Sequence, residues 1–269
     1  MKPIILLILS LCFLHNISAS IQASKEQTSL FVDQCNISLF KSLIPSELYN
    51  IEEHTVTTSD GYILKLFRVN SKDFQKPKIQ KRVVYLQHGI IDSADGWFMG
   101  GINNSIGFHF ANKGFDVWVG NSRGNKYSHS HVSAMITHKQ YFDFSWEQMA
   151  QYDIPSFFDY ITHHTSQPKI NYVGHSLGTL QLFAALSDPE ISEKIHNKLD
   201  KFIAIAPVYY ISNVDNVIYK FGSKIYHFIN YFTDIIKLDE ILPSTCSGND
   251  TFMNILLESC SLIQHICLK

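Results

Sequence analysis

Lys169-Ile170-Asn171-Tyr172-Val173-Gly174-His175-Ser176-Leu177-Gly178-Thr179 is the stretch whose reading decides the fold. Lys169 to Val173 is a short, largely apolar run of strand type, and Leu177 to Leu186 continues as a helix. Between them stands Gly174-His175-Ser176-Leu177-Gly178, a G-x-S-x-G pentapeptide. Such a pentapeptide is weak on its own. Between a strand and a helix it predicts a sharp turn that holds the serine in a strained backbone conformation, its hydroxyl exposed as a nucleophile. Small residues two positions either side let strand and helix approach. Ser176 is therefore the candidate nucleophile.

Outward from this point the chain alternates strands and helices. Upstream, Glu53 to Thr58 and Tyr62 to Val69 alternate in polarity around the turn Ser59-Asp60-Gly61, which predicts an antiparallel hairpin. Phe31 to Leu43 reads as an amphipathic helix closed by Pro45. Val83 to Leu86 is a buried-type strand that runs into His88-Gly89, Ser105 to Lys113 a helix stopped by Gly114, and Phe115 to Val119 the next strand. Asn121 to Tyr141 reads as loop, and Trp146 to His163 as a long helix with Pro155 as its weak point. Ser192 to Lys201 is polar, and Phe202 to Ala206 is one more strand. Short apolar strands separated by helices predict a mainly parallel sheet covered on both faces. After Pro207 the apolar residues Ile211, Val214, Ile218, Phe221, Ile225, Phe228, Phe232 and Ile235 recur at helical spacing, which predicts an inserted helical cap.

Acyl transfer through a serine passes a tetrahedral species whose oxyanion needs preorganised donors. The backbone N–H of Leu177, next after the nucleophile, is one candidate. The other comes from the loop after Leu86, where the N–H of Ile90 is the first choice and that of Gly89 the alternative.

Several further segments carry a resemblance. Asp60-Gly61-Tyr62-Ile63-Leu64, Leu86-Gln87-His88-Gly89 and Asp116-Val117-Trp118-Val119-Gly120-Asn121-Ser122-Arg123-Gly124-Asn125 belong to it. So do Phe144-Ser145-Trp146, Met149-Ala150-Gln151-Tyr152-Asp153, Tyr172-Val173-Gly174-His175-Ser176 and Ala204-Ile205-Ala206-Pro207-Val208. In this order they resemble the acid lipase family, which includes gastric and lysosomal acid lipases. Leu177 departs from that pattern, where the family usually has Gln, with little consequence expected because the backbone N–H does the work. The resemblance implies an α/β-hydrolase fold: a mainly parallel sheet, helices on both faces and a helical cap insertion. It also implies hydrolysis of triacylglycerols or cholesteryl esters at a lipid–water interface, with no cofactor.

In this fold the catalytic order is Ser, then Asp or Glu, then His. After Ser176 the sequence offers one strand and then the cap, so the catalytic acid and histidine, with the last strands, are expected to be missing from this chain. His196, His227 and His265 do not follow a sheet strand in the required way, nor do Asp215, Asp234, Asp239 and Asp250. A catalytically inactive lipid-binding or interaction protein on the same scaffold is the alternative reading; thioesterase or peptidase chemistry stands third.

Composition sets the remaining bounds. The chain has 269 residues, 45% hydrophobic, and a formal charge of -2, which argues against a nucleic-acid partner. Lys2, the apolar run Ile4 to Leu14 and Ser18-Ala19-Ser20 read as a signal peptide over 1–20, too short to span a bilayer comfortably. The expected layout is thus signal 1–20, core 21–207 and cap 208–269, with no transmembrane helix in the mature chain and a secreted or lysosomal destination. In an oxidising compartment Cys246–Cys260 is a candidate bridge and Cys260–Cys267 its competitor. Asn36, Asn103 and Asn249 each open an N-x-S/T triplet and are candidate glycan acceptors. No C-x-x-C spacing exists and no metal site is expected.

Overall fold

The structure is a computed structural model, which describes residues 39–73 and 82–209. Among the described residues seven strands form one sheet: β1 (Tyr49–Thr57), β2 (Tyr62–Ser71), β3 (Val83–Gln87), β4 (Asp116–Gly120), β5 (Ser130–His131), β6 (Ile170–His175) and β7 (Leu199–Ile205). Their order is β1-β2-β4-β3-β6-β7, with β5 pairing β2. The β1–β2 hairpin and the pairs β2–β4 and β2–β5 are antiparallel, whereas β4–β3, β3–β6 and β6–β7 are parallel. This is the mainly parallel sheet expected from the alternation of elements.

Burial explains the strand sequences. Every residue of β3 and β4 is buried, so Val83-Val84-Tyr85-Leu86 and Val117-Trp118-Val119 are continuous apolar runs rather than alternating ones. On one face lie Tyr85, Trp118 and Tyr172, packed against Phe157, Phe158 and Ile161. Those three belong to α3, a continuous helix running as Trp146–Gln148, a π-turn Met149–Asp153 and Ile154–Thr165. The opposite face holds Phe40 stacked on Phe67 at 4.2 Å, and Phe98 edge-on to Phe108 of α1 (Ile106–Asn112) at 5.0 Å.

Pro155, the expected weak point, sits at the start of the last section of α3, directly after the π-turn. A widened turn there removes the demand for the N–H that proline lacks. Ser145 opens the helix through a capping box with Gln148, and Ser166, at φ 54°, closes it in the left-handed region.

Three local readings differ from the structure. β1 begins at Tyr49, four residues before the expected Glu53, because its partner β2 extends to Ser71. The stretch 121–141 is not all loop: it contains β5 and the short helix α2 (His138–Tyr141), capped by Thr137 and Gln140. The polar stretch from Ser192 is mostly structured, because α5 (Pro189–Ile195), capped by Asp188, buries Ile191 and Ile195, and β7 starts at Leu199. Two buried residues four apart were too thin a helical signal. The expected helix from Phe31 falls largely outside the described residues, as do the signal segment, Asn36, Asn249, all the cysteines and the cap beyond Tyr209.

Candidate active site

The parallel register brings the carboxyl ends of four strands to one level, since Gly120 pairs with Gln87, Gln87 with Gly174 and Gly174 with Ala204. The segments that leave these strands therefore meet at one rim: 121–125, 88–91, 175–178 and 205–208. Clefts outside such strand ends are where open α/β sheets bind ligands.

Ser176 stands on that rim between β6 and α4 (Leu177–Ser187), with φ 50° and ψ −114°. A positive φ at a non-glycine residue costs on the order of 1–3 kcal/mol and persists only where the surroundings over-determine it. Here they do. The Ser176 N–H donates to the Ile205 carbonyl at 3.0 Å, and the Ser176 carbonyl accepts from the Thr179 N–H at 2.9 Å and the Thr179 hydroxyl at 2.6 Å. Thr179 Oγ1 in turn accepts from the Val208 N–H at 2.9 Å. The end of β7 thus pins the turn from one side and the first turn of α4 from the other.

The two glycines of the pentapeptide are required by close approach. A Cβ at Gly174 would lie 2.8 Å from the carbonyl carbon and oxygen of Gly178, and one at Gly178 would collide with the Gln87 carbonyl. Strand β6, helix α4 and the end of β3 are thus drawn together at backbone distance. Leu177 is the first residue of α4, where an N–H has no intrahelical acceptor and points outward. Gly89 stands against Ser176: a Cβ there would be 3.3 Å from Ser176 Cβ. Ile90, the next residue, has an exposed side chain.

A buried polar network, not anticipated from the sequence, fixes the loop that carries Gly89 and Ile90. His88 is buried; its Nδ1 donates to the Gly89 carbonyl at 2.6 Å, while Nε2 accepts from the Ser122 N–H at 3.0 Å. Those partners specify a neutral ring protonated on Nδ1. Burial holds the His88 pKa below the ordinary histidine value, in keeping with that neutral form. Ser122 Oγ accepts from Gln87 Nε2 at 2.7 Å and from Gln181 Nε2 at 3.1 Å, linking β3, α4 and the loop after β4. Asn121 Oδ1 accepts from the Ala94 N–H at 3.0 Å and completes the connection.

A second buried cluster supports the first. The Arg123 side chain is 0% exposed and donates to Asp60 at 2.7 Å and to Asp153 at 2.6 Å, with its guanidinium 3.9 Å over the Tyr62 ring. Burial pushes the Asp153 carboxyl up to about 6, against the pull of Arg123. This ion-pair triad ties the β1–β2 turn and the π-turn of α3 to the loop that carries Ser122.

The His175 ring lies against Gly89, with its Nδ1 3.3 Å from where a Cβ there would stand, and three other histidines have partners of their own. His54 bonds Tyr160 and Glu52, His131 bonds Asp60, and His196 bonds Ser192. With both ring nitrogens engaged in loop contacts, His88 is a clamp rather than a base.

The chain matches two families: that of the alpha/beta hydrolase fold over residues 82–222, and that of the partial alpha/beta-hydrolase lipase region over residues 40–101. It is 42% identical to lipase member K of Mus musculus over 185 residues, covering 68% of this chain and 45% of that one. It is 36% identical to triacylglycerol lipase 1 of Arabidopsis thaliana over 226 residues, covering 79% and 54%. The gastric triacylglycerol lipase of Rattus norvegicus is 39% identical over 218 residues, covering 74% and 54%. The chain spans about half the length of the curated relatives it matches.

Proposed function

The chain belongs to the alpha/beta hydrolase fold family, and from that premise we propose that it carries the nucleophile and oxyanion donors of a lipase acting on triacylglycerols or cholesteryl esters. The observation that carries this reading is Ser176 at φ 50°, pinned where a parallel strand turns into a helix. Similarity to named triacylglycerol lipases supports the substrate class.

In the proposed reaction Ser176 Oγ attacks the ester carbonyl, and the N–H groups of Leu177 and Ile90 receive the oxyanion. The hydroxyl needs a base to take its proton and an acid to orient that base. Ser176 is the proposed nucleophile and Leu177 and Ile90 the proposed donors, and no residue of this chain is assigned as base or acid. Substrate meets the site at a lipid–water interface. Among the described residues no helix is long and apolar enough to cross a membrane.

The remaining parts of the proposal follow the sequence. Residues 1–20 act as a signal peptide and 21–207 as the core, with 208–269 as the cap; the destination is the secretory or lysosomal lumen. Asn103 is exposed, which supports it as a glycan acceptor beside Asn36 and Asn249. Cys246 and Cys260 form the proposed bridge.

Hydrolysis of a chromogenic short-chain ester by the purified chain, beside Ser176→Ala, tests the assignment. Turnover that disappears with the hydroxyl supports Ser176 as the nucleophile and would show that this chain holds its own base, against the expectation of a missing acid and histidine. Turnover that survives the substitution sinks Ser176 as the nucleophile. A folded chain that binds lipid equally with and without the hydroxyl and hydrolyses nothing supports the inactive-scaffold alternative instead.

A further inference from the structure

The strongest unassigned side-chain cluster lies at the opposite edge of the sheet from Ser176. Among the described residues β1 is an edge strand, four strand spacings from β6 in the sheet order, or about 19 Å. Glu52 and His54, two residues apart on β1, share the face that carries the C-terminal end of α3, where His164 lies in the last turn. One ligand-type atom from each of Glu52, His54 and His164 lies within 4.8 Å of the others. The His54 Nε2 to Glu52 Oε2 separation is 3.2 Å. That is close to the edge of about 3.4 Å expected for a tetrahedron of ligands about 2.1 Å from a zinc ion.

The rings are already oriented from behind. The Tyr160 hydroxyl lies 3.0 Å from His54 Nδ1, which leaves Nε2 to face Glu52. His164, one helical turn after Tyr160, stacks on its ring with an interplanar angle of 12° and meets Trp118 edge-on at 5.6 Å. Such outer partners fix which imidazole nitrogen a metal can reach.

We propose that Glu52, His54 and His164 form a binding site for a zinc-class divalent cation. His54 Nε2, a ring nitrogen of His164 and the Glu52 carboxylate are the ligands, with the fourth position open to water. Two imidazoles and one carboxylate select zinc and its borderline neighbours over calcium or magnesium, which take oxygen ligands. The ion takes the Nε2 lone pair of the neutral His54 ring, whose single proton then sits on Nδ1 and is donated to the Tyr160 hydroxyl oxygen, so the ring neither gains nor loses a proton. His164 is exposed at the end of its helix and closes the remaining gap by a side-chain adjustment. Arg68 sets the limit on affinity. Its guanidinium is held by Asp116 at 2.7 Å and also donates to Glu52 at 3.0 Å, so a cation must share Glu52 with a fixed positive charge. The site therefore belongs to the micromolar class rather than that of dedicated zinc cages. Its effect is to clip α3 to the edge strand, stabilising the native state by mass action.

Chelator-stripped full chain titrated with zinc, by calorimetry and by thermal unfolding, tests this. Cobalt serves as a spectroscopic stand-in that reports tetrahedral coordination by its visible bands. His164→Gln and Glu52→Gln alter exposed side chains, and their metal-free melting temperatures check that the fold is intact. Expected are one ion per chain, a tetrahedral cobalt spectrum, and a loss of affinity of about tenfold or more in each variant. The sequence holds 13 histidines, so equal binding by wild type and variants would place the ion elsewhere and overturn the assignment. No stoichiometric uptake by the wild type at about 100 µM zinc, roughly 5 kcal/mol of binding, would overturn it as well. Ser176 takes no part in these measurements, so either result is independent of the esterase test.

Discussion

Gly174→Ala tests whether backbone contact, rather than side-chain packing, builds the turn at Ser176. The added methyl group would lie 2.8 Å from the Gly178 carbonyl carbon and oxygen and 2.9 Å from the Thr179 nitrogen. Ordinary contact begins at 3.4 Å, so strand and helix must separate by about 0.6 Å, the difference between 3.4 and 2.8. No side chain can rotate aside, because all three contacts are backbone. Overpacking of this kind costs about 1–3 kcal/mol, and removing glycine from the unfolded chain returns about 0.4–1 kcal/mol. The net expectation is a loss of about 1–2 kcal/mol, or a melting temperature lower by roughly 3–6 °C. The same displacement moves the Leu177 N–H relative to Gly89 and Ile90. Because a misplacement of about 1 Å can cost on the order of a hundredfold in rate, whatever ester turnover the wild type shows is expected to fall about tenfold or more. Urea denaturation and a chromogenic ester assay on the same preparations read both effects. A variant as stable as the wild type, or more so, with unchanged turnover would show that strand and helix are not in forced contact here.

Ser176→Gly should raise stability by about 1 kcal/mol in urea, because glycine adopts the positive φ without strain and the relief exceeds its entropic cost; a loss would mean the turn stores no strain. His88→Ala leaves the buried Ser122 N–H without its acceptor and is expected to cost about 3 kcal/mol. A measured cost below about 1 kcal/mol would remove His88 as the clamp between the two loops. Asp153 gives a pH signature. Its folded pKa, about 6, exceeds the 3.8 of an ordinary carboxyl, so the folded state holds the proton longer. That contribution is complete below about 3.8 and is lost as pH rises through about 6. It amounts to at most about 3 kcal/mol for a shift of about two units. Unfolding free energies of wild type and Asp153→Asn, measured from pH 4 to 7, should diverge in this window, with the wild type losing more. A difference that stays constant with pH would contradict it.

The elements around the serine were legible because each is decided locally. Ile170 to Val173 is apolar enough to be a central strand, and the spacing of Gly174, Ser176 and Gly178 states a steric requirement that any chain reading frame of this kind must meet. Leu177 likewise follows from its place as the first helical residue. Where the signal rests on a few residues the reading failed. Ile191 and Ile195 alone mark α5, and two-residue β5 has no periodicity to detect. The support around the serine was not legible at all, because it depends on strand order. The chain builds β3 and β4 in succession and then places β6 on the far side of β3, so His88 meets Ser122, Gln181 reaches Ser122 over 59 residues, and Arg123 bridges Asp60 and Asp153. The Glu52–His54–His164 cluster spans the chain in the same way. Sequence alone determined the backbone turn that presents Ser176, since steric demands of neighbouring residues are written in neighbouring residues. Which buried polar groups satisfy one another was decided only by the tertiary structure, since a hydrogen bond between distant residues exists only once the sheet has set which strands lie side by side.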